Sequence, residues 1–155
     1  MTRFSLPRTT VTTSVRLTDG VLRPGLLFTS DRVATHEGHE TVLELLNRAD
    51  PFFPFRPEGG AGVLLLAKAH TVSVSVHEPA FPDPARLEAA RVAEVELTLA
   101  GGTTLSGRAS FEQPEFHSRL LDFLNGSREP FFAVTQDSTT HFVNRAHVLY
   151  ARPRD

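Results

Sequence analysis

The sequence predicts a mainly β protein, two small barrels in tandem, each carrying a short inserted helix and related by internal duplication. Three observations predict it. Four short blocks recur in one order, displaced by 77 residues (Lys68 to Arg145) to 82 residues (Gly20 to Gly102). Each set opens on a strand of alternating apolar and polar residues followed by a glycine turn. Each set then places a second glycine, Gly25 or Gly107, five residues after the first. A glycine inside a strand marks a bulge or sharp bend, as small barrels use at corners.

The elements follow in order. Val11, Thr13, Val15 and Leu17 alternate as a half-buried strand, and Val95, Leu97 and Leu99 repeat the pattern. The Val-x-Leu-Thr openings align Val15 with Val95. Asp19-Gly20 and Gly101-Gly102 are hairpin turn pairs. "VLELLN" (42–47) and "LLDFLN" (120–125) are short helices. Thr41 and Glu44 form a capping box and Ser118 is the second N-cap. Leu43 with Leu46, and Leu121 with Leu124, share one face. Asn47 and Asn125-Gly126 suit a left-handed helix end. Pro51-Phe52-Phe53 and Pro130-Phe131-Phe132 then enter a strand. Strand alternation would let one phenylalanine of each pair fill its barrel and turn the other outward, toward the helix, the other copy or a partner; the reading that both are core is preferred. Val63-Leu64-Leu65-Leu66 has no polar alternate, which predicts burial on both faces. "GGAG" (59–62) is a loop.

The units therefore span 11–76 and 93–151, with loose tails at 1–10 and 152–155. Between them lies a proline-rich linker, 77–92, with a short helix from Asp83-Pro84 through Arg91. Units of this size are marginal alone, so the two are expected to fold together. Their strand edges are expected to pair, giving a pseudo-twofold monomer if within the chain, or a homodimer or small ring if between chains.

Composition narrows the function. A net charge of −2 lacks the basic surplus of a general nucleic-acid binder. The absence of cysteine removes thiolate catalysis, disulfides and cysteine-ligated zinc. The opening residues hold no apolar core of signal-peptide length, and "VLLLA" (63–67) is too short to span a bilayer. The expectation is a cytoplasmic protein with no membrane partner.

No Gly-x-Ser-x-Gly, phosphate loop or Ser-His-acid grouping stands out. His36 and His39 are the candidate metal ligands, but they lie three apart, where a zincin helix needs four, and no third ligand is offered. No cofactor is expected. The recurrent Lys68-Ala69-His70 and Arg145-Ala146-His147 turns either hold an anion or serve the turn itself, and the turn role is preferred.

The first block resembles the opening motif of Sm-like small barrels, through Val15, Leu17, Gly20, Gly25 and Leu27, and through Val95, Leu97, Gly102 and Gly107. "VNRAHVLYA" (143–151) is similar to the closing Sm strand-turn-strand, with Arg145 and Lys68 at the basic turn position. Ala69 and Ala146 replace the glycine that follows there, the base-holding Asp…Met-Asn loop is absent, and the helix lies between the motifs. The chain also looks like an uncharacterised bacterial domain type with a Leu-x-(Leu/Phe)-Leu-Asn…Pro-Phe-Phe core. The resemblance implies SH3/Sm-type barrels.

The expected function is a non-enzymatic protein-interaction or regulatory module, an adaptor with two similar surfaces. The partner-binding candidates are Phe52, Phe53, Phe131, Phe132, Lys68, His70, Asn144, Arg145 and His147. Sm-like RNA binding is the alternative, and a small metal-dependent hydrolase the third.

Overall fold

Alternation, turn glycines and two mid-strand glycines build a sheet. A computed structural model describes residues 8–30, 40–60, 62–77, 91–111, 119–126 and 128–154. The first half comprises β1 (Arg8–Leu17), β2 (Leu22–Ser30), α1 (Val42–Asn47), β3 (Phe52–Pro57), β4 (Leu64–Ala67) and β5 (Thr71–Val76). The second comprises β6 (Arg91–Leu99), β7 (Thr104–Phe111), α2 (Arg119–Gly126), β8 (Phe131–Gln136), β9 (Thr139–Asn144) and β10 (Val148–Arg154). The turns Lys68–His70 and Arg145–His147 are single 3₁₀ turns before β5 and β10. Arg91 starts a strand and does not end a helix, β1 begins at Arg8, and β10 includes residues expected in the C-terminal tail.

The strands form one antiparallel sheet in the order β10-β6-β7-β8-β9-β5-β1-β2-β3-β4. The two halves expected in tandem are thus joined in one continuous sheet. The physical reason is the pairing of β5 with β9, from Ser73 opposite Val143 to Val76 opposite Thr140. Each strand satisfies the other's backbone groups, so the halves share one ladder. Within each half the order is the same: β5-β1-β2-β3-β4 and β10-β6-β7-β8-β9. The joint is not pseudo-twofold. The last strand of the first half meets the next-to-last strand of the second, so the two contributing edges differ.

The backbone also resets the alignment. Thr18 N–H donates to His70 O, and Ala100 N–H donates to His147 O. Gly25 lies opposite Thr13, and Gly107 opposite Val95. Thr18 therefore matches Ala100, and Val15 matches Leu97 rather than Val95. A two-residue slip preserves the inward and outward pattern, so alternation cannot detect it.

Gly20, Gly101 and Gly102 take the positive φ that these turns demand. Gly25 and Gly107 matter for another reason. A Cβ on Gly25 would press on the Arg56 carbonyl and the Phe55 ring; one on Gly107 would meet Thr135 O and Val134 Cγ1. Only a bare Cα lets the next strand cross so closely.

Two apolar clusters result. The first joins Val15, Leu27, Leu46, Phe53 and Phe55 to Phe131 and Phe142 from the second half. The other joins Leu97, Leu99, Phe132 and Val134 to Val72 from the first. The capping box at α1 is present: Glu44 N–H donates to Thr41 Oγ1, and Thr41 N–H donates to Glu44 Oε1. Neither Asn47 nor Gly126 has positive φ, so the left-handed helix ends are not formed. Val63, Leu64 and Leu65 are exposed and only Leu66 is buried, against the expectation of burial on both faces. β4 is the last strand of the sheet, and among the described residues no further strand pairs with it.

Candidate functional site

The recurrent basic residues hold the two helices. Lys68 is buried, and its Nζ donates to Leu45 O at 2.8 Å and Arg48 O at 3.0 Å, at the C-terminal end of α1. Burial holds its ammonium pKa below the ordinary lysine value. Arg145 does the same for α2, with Nη1 donating to Phe123 O and Leu124 O, both at 3.2 Å. Its guanidinium lies over the Phe123 and Phe132 rings, 4.9 and 5.1 Å from their centroids. A cation at a helix C-terminus meets carbonyls left without intrahelical partners. Each basic residue thus fastens its helix to the turn between the last two strands of its half.

The joint uses three more side chains. Asn144 is buried; its Nδ2 donates to Lys68 O and Thr71 O, and its Oδ1 accepts from Ala146 N–H. His147 Nε2 lies 2.6 Å from Ala69 O, tying one 3₁₀ turn to the other. Asn47 was not among the candidates read from the sequence. Its Oδ1 accepts from Phe131 N–H at 2.8 Å and its Nδ2 donates to Phe131 O at 3.2 Å, so α1 grips the first residue of β8. The recurrence of asparagine at both helix ends was the available signal.

Of the partner-binding candidates, Lys68, Asn144, Arg145 and His147 are engaged internally, and Phe53, Phe131 and Phe132 are buried. Phe52 and His70 are exposed. Phe131 supplies the core of the first half and Phe132 that of the second. His36 and His39 lie outside the described residues. Among the described residues no three His, Cys, Asp or Glu side chains are grouped to hold a metal ion.

Ser75 Oγ and His141 Nδ1 meet at 2.7 Å across the joint, and His141 Nε2 is buried without a hydrogen-bond partner among the described residues. Burial, and then the proximity of His77, keeps the His141 pKa below its ordinary 6.5. A pocket of about 450 Å³ beside Gly107 is lined by Glu94, Arg108 and Asp137, among others, and mixes both charge signs. The exposed large apolar side chains concentrate elsewhere. Phe52, Val63, Leu64 and Leu65 lie on β3 and β4 or just before β4; Leu149 and Tyr150 lie on β10. These are the two ends of the sheet.

No family model, curated protein or solved structure matches the chain. No helix among the described residues is long and apolar enough to cross a membrane.

Proposed function

We propose that the protein is a non-enzymatic interaction module, a duplicated SH3/Sm-type barrel unit that engages protein through its two open sheet edges. One observation carries the reading: of the exposed large apolar side chains, Phe52, Val63, Leu64, Leu65, Leu149 and Tyr150 lie on or beside β4, β10 and the start of β3, and only Val21, Leu22 and Leu121 lie elsewhere among the described residues. An unpaired strand offers a row of N–H and C=O groups, and an extended segment adds to it with side-chain pockets setting the choice. The shared strand order of the halves and their matched helix anchors support duplication. Lys68, Asn144, Arg145 and His147 serve the fold, so binding falls to the edges and not to two copies of a turn.

The test is affinity capture from the native cell with the full chain and with Leu65→Lys and Tyr150→Lys. The reading expects a bound protein lost from one or both variants, with slowed amide exchange in β4 or β10 when it binds. A captured nucleic acid whose affinity falls steeply with salt would instead support the RNA alternative.

A further inference from the structure

The joint between β5 and β9 has a counterpart that is left unmade. Matching the two 3₁₀ turns residue for residue sets Lys68 against Arg145 and His70 against His147. The same count sets β5 against β10 and β9 against β4. Inside the chain, β5 pairs with β9. Their equivalents, β10 and β4, stand at opposite ends of the sheet, and among the described residues neither has a strand on its outer side. We infer that β10 of one copy pairs with β4 of another, repeating the internal joint between chains. This rests on reading the edges as binding surfaces, and it names their occupant as a second copy of this chain.

Exposure decides between this and an incidental patch. Three apolar side chains buried at the joint have apolar equivalents in solvent at a free end, while Leu66, the equivalent of Val143, stays buried. Phe131 is 1 % exposed and Phe52 is 54 %. Phe142 is 8 % exposed and Leu65 is 69 %. Val72 is 0 % exposed and Leu149 is 60 %. Sporadic surface leucines are normal, but solvent exposure at position after position of one interface is not. The polar clamp has its equivalent too. Asn47 grips the backbone of Phe131 at the joint. Its counterpart Asn125 is exposed, and so is Phe52, the counterpart of Phe131.

The register follows. Ser73 opposite Val143 and Val74 opposite Phe142 become Tyr150 opposite Leu66 and Ala151 opposite Leu65. Arg152 then faces Leu64. Pro153, which has no N–H to donate, falls at the last position, opposite Val63, where the ladder ends. The two edges are different surfaces, so the contact is heterologous. It propagates until a ring closes, and closure leaves no edge open.

Charged residues and proline also guard edges in monomers, and the test separates the two. Light scattering over a concentration series should give wild type a mass of several chains. Leu65→Lys and Leu149→Lys alter side chains already in solvent, so the fold of each chain stands. Each variant alone should be monomeric. Mixed, they should stop at two chains, because one intact β10 meets one intact β4. The chain has no cysteine. Leu65→Cys and Ala151→Cys should therefore cross-link under oxidation when mixed, and neither should do so alone. A monomeric wild type would overturn the inference, as would Leu65→Cys cross-linking to itself. If that monomer still captured a protein on the same edges, only the occupant would be wrong. If it captured none, the edge reading itself would fall.

Discussion

Asn47→Ala isolates the clamp between the halves. In the Leu65→Lys background, where assembly is blocked, the only structure to perturb is the chain itself. The substitution removes an acceptor 2.8 Å from Phe131 N–H and a donor 3.2 Å from Phe131 O. Leaving a buried backbone group unsatisfied costs about 1–3 kcal/mol, and the weaker second bond adds about 0.5–1 kcal/mol. The sum, about 1.5–4 kcal/mol, lowers Tm by about 3–16 °C for a chain of this size. Asn125→Ala in the same background removes an exposed side chain and should stay within about 0.5 kcal/mol. Thermal melts followed by circular dichroism measure both, and amide exchange at Phe131 reads the clamp directly. If Asn47→Ala and Asn125→Ala melt together, water replaces the Asn47 amide and the clamp contributes nothing.

Gly25→Ala and Gly107→Ala should each destabilise by about 1–3 kcal/mol or more, since the added Cβ meets a neighbouring strand's backbone; chemical denaturation checks this. Leu46→Ala, at a fully buried site, should cost about 2–5 kcal/mol in the same assay, and Leu124→Ala less, because Leu124 is only half-buried. For His141 the folded pKa is depressed, so its stabilising contribution is complete above 6.5 and is lost as pH falls below that value. Tm should drop as pH falls below about 6.5, and His141→Gln should flatten the drop. Asp19, held down to about 2 by Arg23, acts only below the ordinary carboxylate range. A fragment of residues 1–80 should aggregate or melt without cooperativity, since its core lacks Phe131 and Phe142.

What the sequence made legible was local. The alternating strands, the Gly20 and Gly101-Gly102 turns, the capping box of Thr41 and Glu44, and the tight spots at Gly25 and Gly107 each depend on a few neighbouring residues. The relation of one half to the other depends on pairs far apart in the chain. Lys68 and Arg145 stood out as recurrent, but their partners are main-chain carbonyls, which no side-chain pattern announces. Asn47 does end α1, but its side chain serves Phe131, 84 residues away, which no local pattern announces. The run from Val63 to Leu66 is apolar without alternation, but burial on both faces does not follow from that: β4 ends the sheet, and Val63, Leu64 and Leu65 lie in solvent.

The shared core also sets a timetable for synthesis. Val76 completes the last strand of the first half, and Phe142 follows 66 residues later. At about 5–20 residues per second that is a wait of about 3–13 s. Throughout it the nascent chain carries Val15, Leu27 and Phe53 around a gap that Phe131 and Phe142 will fill. β5 meanwhile stands open with Val72, Val74 and Val76. On a polysome, that strand emerges beside finished neighbours before its own partner exists. The linkage that gives the mature chain one continuous sheet thus leaves its first half with an unfilled core until the second half is made.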